Sequence, residues 1–244
     1  MQGMTKWYLK LVCNNLEEVD KVLHAAEDRF SADAKMQFKL YEDFGDVTIV
    51  TEYPDDLPKA TASELQRFLI RGLDEYIYAM EDISLAEQLF TILKLRKYKI
   101  STAESFTGGG VGQRLVEIPG ISEVFFEGLN TYSNLSKVQR LGVSETTLSK
   151  HGAVSAEVAL EMAKGLLSQG NCQVAVATTG IAGPNSDNTK KPVGLAFISV
   201  GVEDSISVYR FNFTGDRESI TKKAINQALF LAYKKIKNSG ELFK

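Results

Sequence analysis

Polar and apolar residues alternate over 7–13, and this period of two predicts a strand. From Leu16 the period lengthens. Leu16, Val19, Val22, Leu23 and Ala26 recur at helical spacing as far as Phe30, with Asn14 or Asn15 placed to cap the helix. Alternation returns over 36–41 and 47–53, two strands joined by the turn-like Asp43-Phe-Gly-Asp. Leu65, Phe68, Leu69, Leu73 and Ile77 then share one face of a helix over 63–78. The pattern predicts a small α+β unit, β-α-β-β-α, filling residues 1–82 with a boundary near Met80 to Ile83.

Beyond that boundary strands and helices take turns. Leu85, Leu89, Ile92 and Leu93 predict a helix over 84–96, followed by a strand over 99–103 and a helix over 109–117. A strand over 125–132 and a helix over 133–141 come next. A helix over 155–167 opens with a cap-like Ser155, and 174–179 reads as a short buried strand. A hairpin follows, 194–202 and 205–213 around Glu203-Asp204, and a long helix runs over 218–237. Such alternation predicts a three-layer α/β/α domain over 83–244, with a mixed, partly parallel sheet.

Composition narrows the classes of function. Of 244 residues, 44% are hydrophobic, enough for a sizeable core. Net charge is −3 with no basic tail, which disfavours nucleic acid as the main partner. Cys13 and Cys172 lie far apart, fit no metal-ligand spacing and suit a reducing cytoplasm. No apolar run approaches a membrane span, and the stretch from Met1 to Trp7 lacks the apolar core of a signal peptide. The expectation is a cytoplasmic protein with no membrane partner.

Chemistry concentrates in Ala103-Glu-Ser-Phe-Thr-Gly-Gly-Gly. A strand, a glycine-rich loop and a helix in succession present backbone N–H groups to an anion. The stretch is not a dinucleotide fingerprint, because position 113 is Gln, and no Gly-Lys-Ser/Thr follows as in a phosphate-binding loop. It equally suits a helix start that packs closely on the sheet. Ser105 needs a base to become a nucleophile. His24 lies in the first unit, and His151 reads as a loop residue making a hydrogen bond. A lysine buried enough to lose its charge can serve instead. Lys137 is a candidate, one helical turn beyond Ser133 with Tyr132 at the helix start; the alternative is a solvated helix lysine. Thr178-Thr-Gly-Ile-Ala-Gly-Pro ends another strand, either as a second wall of the same crevice or as ordinary turn chemistry. Arg217 opens the last helix against its dipole, which suits an anion site or a surface ion pair.

Taken together, residues 84–237 resemble the C-terminal domain of the CinA family of competence/damage-inducible proteins. The resemblance is carried in order by Ala103-Glu-Ser-Phe-Thr-Gly-Gly, Pro119-Gly-Ile-Ser, Tyr132-Ser-Asn-Leu-Ser-Lys, Leu141-Gly-Val, His151-Gly-Ala-Val-Ser, Thr179-Gly-Ile-Ala-Gly-Pro, Lys191-Pro-Val-Gly and Gly215-Asp-Arg. It implies deamidation of nicotinamide mononucleotide, with Ser105 as nucleophile, Lys137 as base and Tyr132 as assisting hydroxyl. Backbone N–H groups around Phe106 to Gly108 would hold the oxyanion. Thr107, Gly108, Gly109, Thr179, Gly180 and Arg217 would contact the substrate, with the phosphate at Arg217 and the Thr179-Gly180 loop. No metal or cofactor is implied, and a homodimer is expected. Phe106 departs from the family, which usually has Cys there, so a crowded pocket or a shifted substrate is one expectation. A catalytically inactive nucleotide-binding or competence-associated interaction protein is the alternative. Residues 1–82 resemble, more faintly, the small KH-type domain that precedes this domain in full-length members. The large molybdopterin-binding-like domain of those members has no counterpart in the sequence.

Overall fold

Leu9 and Leu11 on β1 (Met4–Val12) are fully buried while Lys6 is exposed and Lys10 half-buried, the two-sided strand that the alternation anticipates. They open the first of two units, which part between Ser84 and Leu85 in a computed structural model describing residues 3–30, 36–186 and 190–240. Met1 and Gln2, the start of the stretch read for a signal peptide, lie outside the described residues. α1 (Leu16–Phe30) and α2 (Lys59–Leu73) bring Val19, Leu23, Ala26, Leu65, Leu69 and Leu73 onto one core with Val47 and Ile49 of β3 (Asp46–Pro54). β2 (Gln37–Asp43) joins β3 through Phe44 and Gly45, both at positive φ (+52° and +81°), as a tight hairpin turn requires.

The helix expected over 63–78 begins earlier and stops at Leu73. A 3₁₀ turn over Asp74–Tyr76 follows, and β4 (Ile77–Ala79) pairs antiparallel with β1. Ile77 stands a helical interval beyond Leu73, so periodicity alone carries the helix on. Tertiary pairing overrides it: on the edge of β1 Tyr78 is buried, and its hydroxyl donates to the Asp46 carboxylate at 2.9 Å. The strand order β2-β3-β1-β4, antiparallel throughout, makes a β-α-β-β-α-β sandwich of the split βαβ, ferredoxin-like kind. This corrects the five-element unit expected, and the KH-like reading finds no support in it.

In the second unit β5 (Ile100–Glu104) is buried at every residue. It runs parallel to both neighbours, β6 (Phe125–Asn130) and β7 (Val174–Gly180). β8 (Leu195–Val202) and β9 (Ser205–Asn212) complete the sheet antiparallel, in the order β6-β5-β7-β8-β9. α7 (Ala156–Ser168) covers one face, setting Val158, Met162, Ala163 and Leu166 against Ala103, Ala175 and Ala177. α3 (Leu85–Arg96), α4 (Gly110–Val116) and α8 (Arg217–Asn238) pack on the other. The α/β architecture with a mixed sheet is the one expected. α5 (Asn134–Leu141) and α6 (Glu145–His151) lie beside α7. The sequence pattern misses α6, because its seven residues hold one apolar side chain, Leu148, and so no period to read. Its cap makes it: Ser144 Oγ accepts from Thr146 and Thr147 N–H at 3.2 and 3.4 Å. His151, read as a loop residue, therefore ends a helix, with Nδ1 3.2 Å from Glu157 Oε1. Among the described residues no helix is long and apolar enough to cross a membrane.

Register decides where chemistry can occur. Glu104 stands opposite both Asn130 and Thr178, so the three parallel strands end level. Gly180 pairs with Ala196 and Leu195 with Asn212, so the segment leading to Arg217 leaves from the same edge. This is the carboxyl edge of a parallel sheet, where loops converge on a crevice.

Candidate active site

Short-range chemistry sets α5. Ser133 caps it by accepting the Ser136 N–H at 3.1 Å, and Gly142 ends it in the left-handed region at φ +67°. Lys137 and Leu141 fall on its buried face. Lys137 is 1% exposed, which is rare for a lysine. Its Nζ lies 3.1 Å from Ser105 Oγ, 2.8 Å from Thr131 O and 3.2 Å from Tyr132 O. Burial pushes its pKa down from the ordinary 10.5 to about 8. Both protonation states fit the three partners. The ammonium donates to all three; the neutral amine keeps two N–H on the carbonyls and turns its lone pair to Ser105 Oγ. Holding the ammonium there below pH 8 lowers folding stability by about 3 kcal/mol. That penalty fades as the pH rises toward 10.5, where the unfolded chain gives up the same proton.

Ser105 is fixed from both sides. Its N–H donates to Thr178 O at 3.1 Å, and its carbonyl accepts the Gly108 N–H at 3.1 Å. Glu104, one residue earlier, is 1% exposed. Its carboxylate accepts the N–H groups of Gly109, Val111 and Gly112 at 3.1, 3.0 and 2.9 Å, and the Thr102 hydroxyl donates to it at 3.4 Å. The glycine loop does hold an anion, and the anion is the chain's own. Gly108 and Gly109 adopt φ +64° and +97°, a conformation that favours glycine. Gly110 serves packing instead, since a Cβ there would stand 2.3 Å from Ile225 Cδ1 of α8. The two readings of the loop, anion cradle and close helix packing, thus hold at different glycines. Gly110 N–H is committed to Thr107 O, and Gly108 N–H to Ser105 O. Among the described residues, the N–H groups of Phe106 and Thr107 have no hydrogen-bond partner. Sequence reasoning passed over Glu104. The available signal was an acid closing a strand of small and apolar residues, where burial demands partners.

The other expected contacts divide. The hydroxyl of Thr107 lies 2.7 Å from that of Thr178, both buried, so its side chain ties the loop to β7. Thr179 is equally occupied: its hydroxyl donates to Ala153 O at 2.8 Å. At Gly180 any Cβ would come within 2.9 Å of both Leu195 O and the Phe106 ring. Both positions thus also serve contacts inside the protein. The Phe106 ring is buried against Gly180. Tyr132 reaches the site through its carbonyl. Its side chain is 64% exposed, and among the described residues its hydroxyl has no hydrogen-bond partner. Arg217 follows Asp216, the cap of α8, and donates from Nη1 to Gly183 O at 2.6 Å. It is exposed and joins the loop after β7. Lys191, not singled out by itself in the sequence, donates to His151 O and Val154 O at 2.8 and 2.6 Å and holds the segment that Thr179 also holds.

Comparison with known proteins places the second unit in a family. The family model described as the CinA C-terminal domain matches residues 82–236. A putative competence-damage inducible protein of Clostridium beijerinckii is 47% identical over 152 residues, 62% of this chain and 37% of that protein. One from Caldicellulosiruptor saccharolyticus is 37% identical over 223 residues, 91% of this chain and 53% of that protein. The chain spans about half or less of the length of these curated relatives. Among solved structures, the competence/damage inducible protein CihA of Agrobacterium tumefaciens superposes with a TM-score of 0.58 at 37% identity, over 60% of this chain and 90% of that one.

Proposed function

Because this chain belongs to the CinA C-terminal domain family, we propose that it is a serine–lysine amidohydrolase that converts nicotinamide mononucleotide to nicotinate mononucleotide and ammonia. One observation carries the reading: a fully buried lysine with its pKa lowered to about 8 stands 3.1 Å from the hydroxyl of Ser105. Neutral Lys137 takes the Ser105 proton as Oγ attacks the carboxamide carbon. The N–H groups of Phe106 and Thr107 are the donors left to receive the oxyanion, each contributing roughly 3 kcal/mol. The resulting Lys137 ammonium returns its proton to the departing nitrogen, and ammonia leaves. Water then attacks the acyl-serine with Lys137 again as base, releasing the carboxylate and restoring Ser105.

The test is stoichiometric release of ammonia and nicotinate mononucleotide from nicotinamide mononucleotide by the full chain. Nucleotide binding without ammonia would replace this reading with the binding-only alternative.

Arg217 is the candidate for the phosphate, since a guanidinium can grip it in a fork and one N–H already anchors the side chain on Gly183. Arg217→Ala is expected to raise KM for the nucleotide about tenfold or more while leaving KM for the phosphate-free nucleoside nearly unchanged. Equal losses on both substrates would remove the phosphate from Arg217. The residues assigned to this chemistry all lie in the second unit. A chain beginning at Ile83 is expected to fold and to keep kcat within a few-fold, checked by circular dichroism and ammonia release; a folded but inactive product would contradict this.

A further inference from the structure

We propose that Glu104 is a positioning residue for the Ser105–Lys137 pair: its buried carboxylate assigns the main-chain donors of the glycine loop, leaving those of Phe106 and Thr107 for the substrate carbonyl. The proposal rests on reading Ser105 as the nucleophile.

Two observations converge on it. First, α4 has no side-chain cap of its own, because Gly109 stands at the cap position. Glu104 supplies the missing acceptor from the preceding strand and takes three N–H groups at once. A buried carboxylate is strongly unfavourable without such partners, so loop and side chain are ordered only together. Second, the residue connects both halves of the pair. Its side chain fixes the loop that follows Ser105. Its carbonyl accepts the Thr131 N–H at 2.8 Å, and the Thr131 carbonyl in turn accepts from Lys137 Nζ at 2.8 Å. A displacement at Glu104 therefore moves nucleophile and base relative to each other, and misplacement on the ångström scale is enough to slow such chemistry greatly.

The experiment uses the full chain with Glu104→Ala and Glu104→Gln. Ser105 reactivity is read as its rate of phosphonylation by a fluorophosphonate, followed by intact mass and normalised to folded protein. Turnover of nicotinamide mononucleotide is measured in parallel. Glu104→Ala is expected to lose roughly 100-fold in kcat, the scale of one lost oxyanion donor. Phosphonylation should fall with it, while KM changes only a few-fold. Sodium formate, which fits the vacated acceptor position, should restore part of both rates in Glu104→Ala and leave the wild type unaffected. Glu104→Gln keeps an acceptor for part of the set and should fall between; if Glu104→Ala does not fold, this variant carries the test. A variant that phosphonylates at the wild-type rate per folded molecule would overturn the proposal. If the wild type phosphonylates but releases no ammonia, the substrate reading fails, and the phosphonylation rates still decide the role of Glu104.

Discussion

Ser105→Ala is expected to lower kcat for nicotinamide mononucleotide by roughly 10⁴-fold or more, the scale of nucleophile loss in serine hydrolases, with the nucleotide dissociation constant changed by no more than a few-fold. The hydroxyl is the atom that Lys137 Nζ faces at 3.1 Å, and none of the bonds fixing the loop passes through it. The Ser105 backbone bonds to Thr178 and Gly108 and the Glu104 clamp all survive the substitution. Binding and fold should therefore persist while covalent chemistry stops. Ammonia release under saturating substrate, with calorimetric titration of the nucleotide, checks both halves. A variant retaining a tenth of the wild-type rate would remove Ser105 from the nucleophile's role.

Lys137→Arg should be as damaging as Lys137→Ala, each lowering kcat by roughly 10³-fold or more, within the range of general-base and nucleophile losses. A guanidinium keeps its charge at every accessible pH and cannot take the Ser105 proton. It must also enter a space matched to an ammonium with three partners within 3.2 Å. Conservation of charge is thus the wrong kind of conservation here. Near-normal rates in Lys137→Arg would make Lys137 a structural cation and send the search for a base elsewhere.

Long periodic segments were legible in the sequence. α1 follows its apolar spacing from Leu16 to Phe30, and the buried run at β7 was read as a strand. β4 and α6 were not, because three and seven residues carry too little period, and what forms them is a strand edge in one case and a serine cap in the other. The site divides in the same way. Ser105 and Lys137 stand 32 residues apart, a separation with no helical or hairpin meaning, so the residues alone left Lys137 a candidate beside a solvated lysine, and the family resemblance chose between them. Thr107, Thr179 and Gly180 were assigned to substrate because hydroxyls and glycines gather at strand ends near ligands. The same residues also gather there to close loops on a sheet, and in this protein their side-chain positions do that. Glu104 was overlooked for the complementary reason: an acid at a strand end reads as solvated until burial is known.

The pH dependence of kcat/KM tests the central claim most directly, because it reports the titration of the free enzyme's base. Only the neutral form of Lys137 accepts the serine proton, so the rate must rise with pH and level off once the ammonium is gone. Between pH 7 and 10 the substrate phosphate is already ionised, which leaves the lysine to shape the curve. The expected result is a tenfold rise per pH step below a single limb near pH 8, then a plateau, matching a pKa lowered to about 8 by burial. A profile flat across this range, or one that rises only above pH 10, would show that no buried lysine activates Ser105.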